Sequence, residues 1–344
     1  MPPNLKNEID PQKYFYKFNE FEYKDTSKER VLSGIRDLDY LTKGFELGCI
    51  TIWTGLTNAG KTTVLTMLAK QTIAQNEKVF FFNGEQTKDD FKNNLYKQTV
   101  ENKDIVEKQY KDSCVFDTFV KTEKIPELNR LYGENLIVFN NEMPRKIENL
   151  LKAMEECRKT YGVRVFILDN FMQIELASSD VFQEQTNIME KLRTFAVNKN
   201  VHIHLVAHPR KIERFQVRLT LYDIAGSMNL ANKAYNIISI MRVNNMNEDD
   251  SEYQKLAKEM FNYKYNIRET STILEVLKTK GVACGLVGLV YDPKLKTFTP
   301  QNHLTQEIYE KMKRNFDENI KMGGDDTCPW RKKIILSHRM MILF

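Results

Sequence analysis

Gly55-Leu-Thr-Asn-Ala-Gly60-Lys61-Thr62-Thr63 fits the spacing G-x-x-x-x-G-K-[ST], a Walker A loop. Glycines let successive backbone N–H groups turn inward around a triphosphate, a lysine reaches the β and γ phosphates, and the next hydroxyl can hold Mg²⁺. Gly55, Asn58, Ala59, Gly60, Lys61, Thr62 and Thr63 are therefore the candidate nucleotide-binding residues. Such a loop needs a strand before it and a helix after it. Residues 49–54 read as a buried strand and 63–75 as a helix whose N-terminus faces the phosphates.

Three further residues stand where strands should end. Glu85 follows the apolar run 78–83, where a carboxylate could polarise the water that attacks a γ phosphate, or simply offset the dipole of a helix over 88–98. Asp169 ends the apolar run 163–168 in a Walker B pattern and would share a Mg²⁺ shell with Thr62. His208 ends the run 201–207 and is placed to touch the γ phosphate. Beyond it, Arg210, Lys211, Arg214 and Arg218 read either as a solvated loop or as a loop that grips a nucleic-acid backbone through salt-sensitive contacts. Lys278 and Lys280 sit at the tip of a hairpin predicted from 272–277 and 286–291, where they are solvated or reach across a subunit boundary.

The elements that must position these groups alternate between apolar runs and amphipathic stretches, which predicts an α/β P-loop core with a mostly parallel central sheet flanked by helices. Further strands are expected over 136–139 and 237–242, and helices over 144–160 and 188–198. Ser33 is expected to cap a short helix ahead of the first strand, and small residues around Gly226 and Ser227 to open another. Residues 99–130 are charged and weakly periodic, 174–186 read as a polar loop, and 243–270 as a surface insertion. The chain divides into an aromatic arm over 1–30, a compact domain over 31–300 and a tail over 301–344. The arm docks on a neighbouring subunit or folds on its own domain. The tail mixes basic and apolar residues and suits a partner-binding helix, a membrane-surface anchor or a disordered end.

Composition narrows the classes. The formal net charge of +5 neither demands nor excludes nucleic acid, so any basic surface has to be local. The five cysteines are scattered with no C-x-x-C pair, which speaks against a zinc module or a disulfide framework and for a reducing compartment. No run of about 18 apolar residues occurs, so no spanning helix is expected, and the N-terminus lacks the apolar core of a signal peptide.

The order of these motifs resembles the RecA-like helicase domain of DnaB-type replicative ring helicases, in particular the phage primase-helicase and Twinkle-like group, over roughly residues 31–300. Ser33-Gly-Ile-Arg-Asp-Leu-Asp-Tyr-Leu-Thr-Lys-Gly44 and Leu205-Val-Ala-His-Pro-Arg-Lys211 are the more specific matches, since Walker A and B patterns are common to P-loop NTPases. The resemblance implies ATP and Mg²⁺ as cofactors, Lys61 and Thr62 as phosphate and Mg²⁺ ligands, Glu85 as catalytic glutamate, Asp169 as Walker B aspartate and His208 as phosphate sensor. It implies that 210–218 is a central-channel DNA loop and that Tyr291 stacks on the base. It further implies a homo-oligomeric ring, a hexamer, that translocates on single-stranded DNA and unwinds 5′ to 3′. A separate primase or other replisome proteins would be partners, in the cytoplasm of a bacterium or a phage-infected host, with an organelle matrix as the other setting. The family's K-x-R-x-G finger is read here as Lys278-Thr-Lys280-Gly281, with lysine in the arginine position; it neutralises charge without a planar fork. No cysteine-rich or primase-like block precedes residue 31, so priming is not expected. A RecA-type recombinase, or a nucleotide-gated DNA-binding or loading factor with little turnover, would share most of these motifs.

Overall fold

The structure is a computed structural model that describes residues 16–20, 30–111, 114, 116–210, 218–224, 228–243, 246, 248–301 and 303. Strand β1 (Arg30–Val31), helix α1 (Arg36–Thr42) and strand β2 (Phe45–Glu46) form a small antiparallel lead-in. Ser33 does not cap α1 as expected. Its hydroxyl accepts from the Ile35 amide, and the Asp39 carboxylate, one turn inside the helix, accepts from the Ser33 and Gly34 amides instead.

The core opens with β3 (Ile50–Gly55), α2 (Lys61–Ala74), β4 (Val79–Asn83) and α3 (Lys88–Lys97). A hairpin, β5 (Ile105–Gln109) and β6 (Phe116–Val120), then projects before α4 (Ile125–Gly133). Next come β7 (Leu136–Val138), α5 (Ile147–Tyr161), β8 (Val165–Asp169), α6 (Val181–Lys199) and β9 (His202–Val206). After α7 (Met228–Lys233) and β10 (Asn236–Arg242), α8 (Ser251–Asn262) leads to β11 (Thr272–Lys278), β12 (Gly285–Asp292) and β13 (Thr297–Pro300).

A nine-stranded sheet has the order β13-β12-β11-β10-β3-β9-β8-β4-β7. Its strands from β10 to β7 run parallel, and β11, β12 and β13 continue it antiparallel. Alternate side chains of the continuous apolar runs serve opposite faces. Trp53 and Phe81 pack with Val64, Leu65 and Leu68 of α2, whereas Ile52, Phe80 and Phe82 pack with Leu150 of α5 and Leu192 of α6. Both faces are thus covered, as the parallel α/β reading requires.

Three stretches depart from the sequence reading. Helix α6 begins at Val181, because Asp180 accepts from the Gln183 amide and starts it inside the stretch expected to be a loop. The weakly periodic 99–130 stretch contains the β5–β6 hairpin and α4; within the hairpin strands only their outer ends, Ile105 and Val120, are buried. The 243–270 stretch is more than a surface excursion. Tyr253, Leu256 and Met260 of α8 form a separate core with Met241 of β10 and with Ile273 and Leu286 of the antiparallel β11 and β12. No helix among the described residues is long and apolar enough to cross a membrane.

Candidate functional site: a P-loop cleft

The loop after β3 is built by close backbone approach. A Cβ at Gly55 would lie 2.5 Å from the Ile240 carbonyl oxygen, and one at Gly60 2.8 Å from the Phe298 ring. Gly60 (φ 96°) and Asn58 (φ 62°) are both left-handed, so the turn needs the residues that tolerate that region best. The loop runs straight into α2, whose N-terminus has no side-chain cap and whose first amides are suited to an anion. Lys61 is buried, and its ammonium donates to the Gly55 and Leu56 carbonyls at 3.0 and 2.8 Å. Burial pushes its pKa below the ordinary lysine value, against the opposing pull of Asp169 and Glu85.

Asp169 lies at the end of β8, in register with Asn83 at the end of β4. Thr62 Oγ1 donates to its Oδ2 at 2.5 Å, while Oδ1 is buried with no hydrogen-bond partner among the described residues. Burial raises the carboxyl to about 6, helped by Glu85 and opposed by the Thr62 hydrogen bond and Lys61. A hydroxyl and an under-satisfied carboxylate are hard oxygen donors of the kind Mg²⁺ takes together with phosphate oxygens and water. No cluster of three or more acidic, histidine or cysteine ligands occurs among the described residues.

Glu85 is held by the turn after β4. The Asn83 side chain accepts from the Gln86 amide and donates to the Gln86 carbonyl, and the Gly84 amide donates to the Asp169 carbonyl at 2.6 Å. Gly84 leaves room for Gln173, since a Cβ there would lie 2.6 Å from its Cγ. The Asn170 side-chain amide donates to Glu85 Oε1 and lies 2.9 Å from His208 Nε2, which is itself 3.2 Å from Glu85 Oε1. Asn170 is not singled out by the sequence, where an amide directly after the strand-end aspartate carries no pattern of its own. Lys61, Thr62, Glu85, Asp169 and His208 thus gather where β3, β4, β8 and β9 end, the usual crevice of a parallel sheet.

Tyr291 reaches this region indirectly. Its ring packs on Phe298 at 5.1 Å between centroids, and Phe298 lies against Gly60. The hairpin tip lies elsewhere. Register pairs Lys278 with Ile237, and Ile237 with Ile52, so the chain leaves β11 towards the start of β3. Lys280 is accordingly close enough to Cys49 to influence its thiol. Five residues of strand, about 17 Å, separate that level from Gly55, so Lys280 and its own P-loop lie at opposite ends of the sheet.

The basic segment is anchored at both margins. Pro209 bridges to Ile224, the Arg210 amide donates to the Asp223 carbonyl at 2.7 Å, and the exposed Arg210 guanidinium lies 3.6 Å from the Asp223 carboxylate. Arg218 is engaged by carboxylates of the domain. Its guanidinium reaches Glu259 of α8 at 2.8 Å and Glu275 of β11 at 2.7 Å, and although burial opposes it, these bonds raise its pKa further. Lys211, Arg214, Gly226 and Ser227 lie outside the described residues.

The family model for the DnaB-like helicase C-terminal domain matches residues 31–300. Among solved structures, one described as an ATPase domain aligns with a TM-score of 0.60 at 18% identity, covering 79% of this chain and 91% of that one. A DnaB-like replicative helicase, described with its interactions with primase, aligns with a TM-score of 0.60 at 19% identity over 79% of this chain. The match spans 62% of that longer chain. Likeness at these identities concerns the fold: a mostly parallel α/β core of the RecA type.

Proposed function

This chain belongs to the DnaB-like helicase C-terminal domain family, and from that premise we propose that it is the ATP-hydrolysing motor of a replicative DNA helicase, acting as a homo-oligomeric ring on single-stranded DNA. The observation that carries the reading is the convergence of Lys61, Thr62 and Asp169 with a Glu85 carboxylate that is exposed enough to meet water and hydrogen-bonded to Asn170.

In this reading Glu85 takes the proton of the water that attacks the γ phosphate, and Lys61 leaves the loop carbonyls to neutralise phosphate charge. Thr62 and Asp169 would hold Mg²⁺, which when bound draws charge from the phosphate oxygens. His208 touches Glu85 on one side and continues through Pro209 into the anchored Arg210 on the other, so a change at the phosphate is transmitted to the basic segment. Because Lys280 lies at the far end of its own sheet, it serves the nucleotide of a neighbouring subunit. This gives the ring, hexameric in our reading, a mechanical reason to exist. The 210–218 segment lies along DNA in the channel and reads phosphates rather than bases.

ATP turnover with and without single-stranded DNA, together with strand displacement on a forked duplex, tests the proposal. Turnover stimulated by DNA and coupled to displacement is expected. Stimulation without displacement, on open filaments, would move the chain to the recombinases, and turnover indifferent to DNA would make it a loading factor.

A further inference from the structure

The finger tip carries a lysine where a guanidinium would orient itself through its planar fork. A lysine ammonium is a point charge on a flexible stem and needs an external guide. Resting on the reading of Lys280 as the group that serves a neighbour's nucleotide, we infer that Tyr235 is the positioning residue of this finger and that Lys278 is its strut rather than a second finger.

The backbone of the tip is fixed from below. Thr279 Oγ1 donates to Asn236 Oδ1 at 2.8 Å and accepts from the Gly281 amide at 2.8 Å. Asn236, fully buried, donates in turn to Thr51 Oγ1 at 3.2 Å. Gly281 lies directly on α1: a Cβ there would come within 2.5 Å of the Leu41 carbonyl oxygen, which accepts from the Val282 amide at 2.7 Å. The tip backbone is therefore held on two sides, by β10 through Asn236 and by α1 through Leu41.

Those two side chains differ in what they touch. Lys278 Nζ donates to the Ala231 and Asn232 carbonyls at 2.7 and 3.1 Å, capping the C-terminal end of α7 where a cation is favoured. Its charge is spent inside its own subunit. Lys280 is exposed, and its Nζ lies 5.3 Å from the centroid of the Tyr235 ring, in cation–π range. The ring is tethered as well, because its hydroxyl donates to Glu46 Oε2 at 2.9 Å and Glu46 also faces Arg30 at 3.5 Å. Burial and the Glu46 carboxylate push the Tyr235 phenol up to about 12, so it remains a donor throughout the neutral range. Tyr235 also follows α7 after one intervening residue, so the helix that Lys278 caps leads directly into the aromatic guide.

The test is DNA-stimulated ATP turnover of the full chain, with ring assembly checked for every variant by light scattering. Lys280→Ala should lower kcat by tenfold or more with little change in KM, as loss of a transition-state contact does, ~10-fold being a modest share of what a finger supplies. Tyr235→Leu should lower kcat about tenfold, the scale of a misplaced group, and Tyr235→Phe, which keeps the ring, about twofold at most. The double variant should be no worse than Lys280→Ala alone, because Tyr235 acts through Lys280. Lys280→Arg should restore turnover in the Tyr235→Leu background, since a guanidinium orients through its own paired bonds. Unchanged turnover in Tyr235→Leu beside a defective Lys280→Ala, additive losses in the double variant, or failure of the arginine rescue in assembled rings overturns the inference while leaving the finger in place. A silent Lys280→Ala removes the finger itself, and the inference with it. If Tyr235→Leu does not assemble, Tyr235→His, which keeps an aromatic face, is compared with Tyr235→Gln, and equal turnover in that pair overturns the inference.

Discussion

Glu85 Oε1 and His208 Nε2 lie 3.2 Å apart, joined further by the Asn170 amide. A carboxylate that comes from the end of β4 thus shares its surroundings with an imidazole from the end of β9, across β8. Glu85, Asn170 and His208 therefore form one hydrogen-bonded group, and in the reading proposed above, a substitution at Glu85 or His208 is felt by the other.

Glu85→Gln keeps the shape of that group and removes the base. Turnover is expected to fall about 100-fold or more, the range for a lost general base, while nucleotide affinity stays within about threefold. Phosphate release and binding of a fluorescent nucleotide measure the two separately. A loss of affinity as large as the loss of turnover would make Glu85 a ground-state binding group.

Much of this arrangement was legible in the sequence, and the physical reason is the parallel sheet. Buried parallel strands are short continuous apolar runs, and the residue that ends each run lies in the crevice, so Glu85, Asp169 and His208 were readable as strand-end residues. Asn170 was not, because an amide beside an aspartate carries no pattern of its own. Helix α8 was hidden by its many charged residues, since a single apolar stripe of Tyr253, Leu256 and Met260 is enough to hold it. The engagement of Arg218 depends on Glu259 and Glu275, which are remote in sequence, and only the fold brings them together.

Leu256 is fully buried in the α8 core. Leu256→Ala removes apolar contact and leaves a cavity, which costs about 2–5 kcal/mol at sites of this kind. Urea unfolding monitored by circular dichroism should show the midpoint fall accordingly. A change within ~0.5 kcal/mol would return 243–270 to the status of a surface excursion.

His202 is buried and neutral, with Nδ1 at 2.6 Å from the Glu46 carbonyl and Nε2 at 3.1 Å from Thr51 Oγ1. Burial pulls its pKa down to about 4, against the hydrogen bond to the Glu46 carbonyl. The unfolded chain therefore takes up the proton first as pH falls. Stability from this group is complete above the ordinary value of 6.5 and is lost on acidification from there towards about 4, on the order of 3 kcal/mol in all. Unfolding midpoints between pH 7 and pH 4.5, roughly spanning that window, should fall less steeply in His202→Gln than in the wild type. Parallel slopes would place the acid sensitivity elsewhere.

Arg218 and Arg210 differ as a structural cation and a proposed DNA-binding one. Its guanidinium is engaged by Glu259 and Glu275, and Glu275 is only 9% exposed, so Arg218→Ala leaves two carboxylates facing each other with one of them buried. Breaking such a pair from one side costs roughly 3 kcal/mol, visible as a lower urea midpoint. Arg210, in contrast, has an exposed side chain and a longer contact of 3.6 Å to Asp223, which a phosphate can outcompete. Arg210→Ala should therefore reduce the slope of log affinity for single-stranded DNA against log salt by about one contact, and leave stability unchanged within ~0.5 kcal/mol. Arg218→Ala should do the reverse at temperatures where it is still folded. A reduced salt slope in Arg218→Ala without loss of stability would show that the guanidinium leaves its carboxylates for the nucleic acid, and the base of the loop would then be a moving part rather than a fixed anchor.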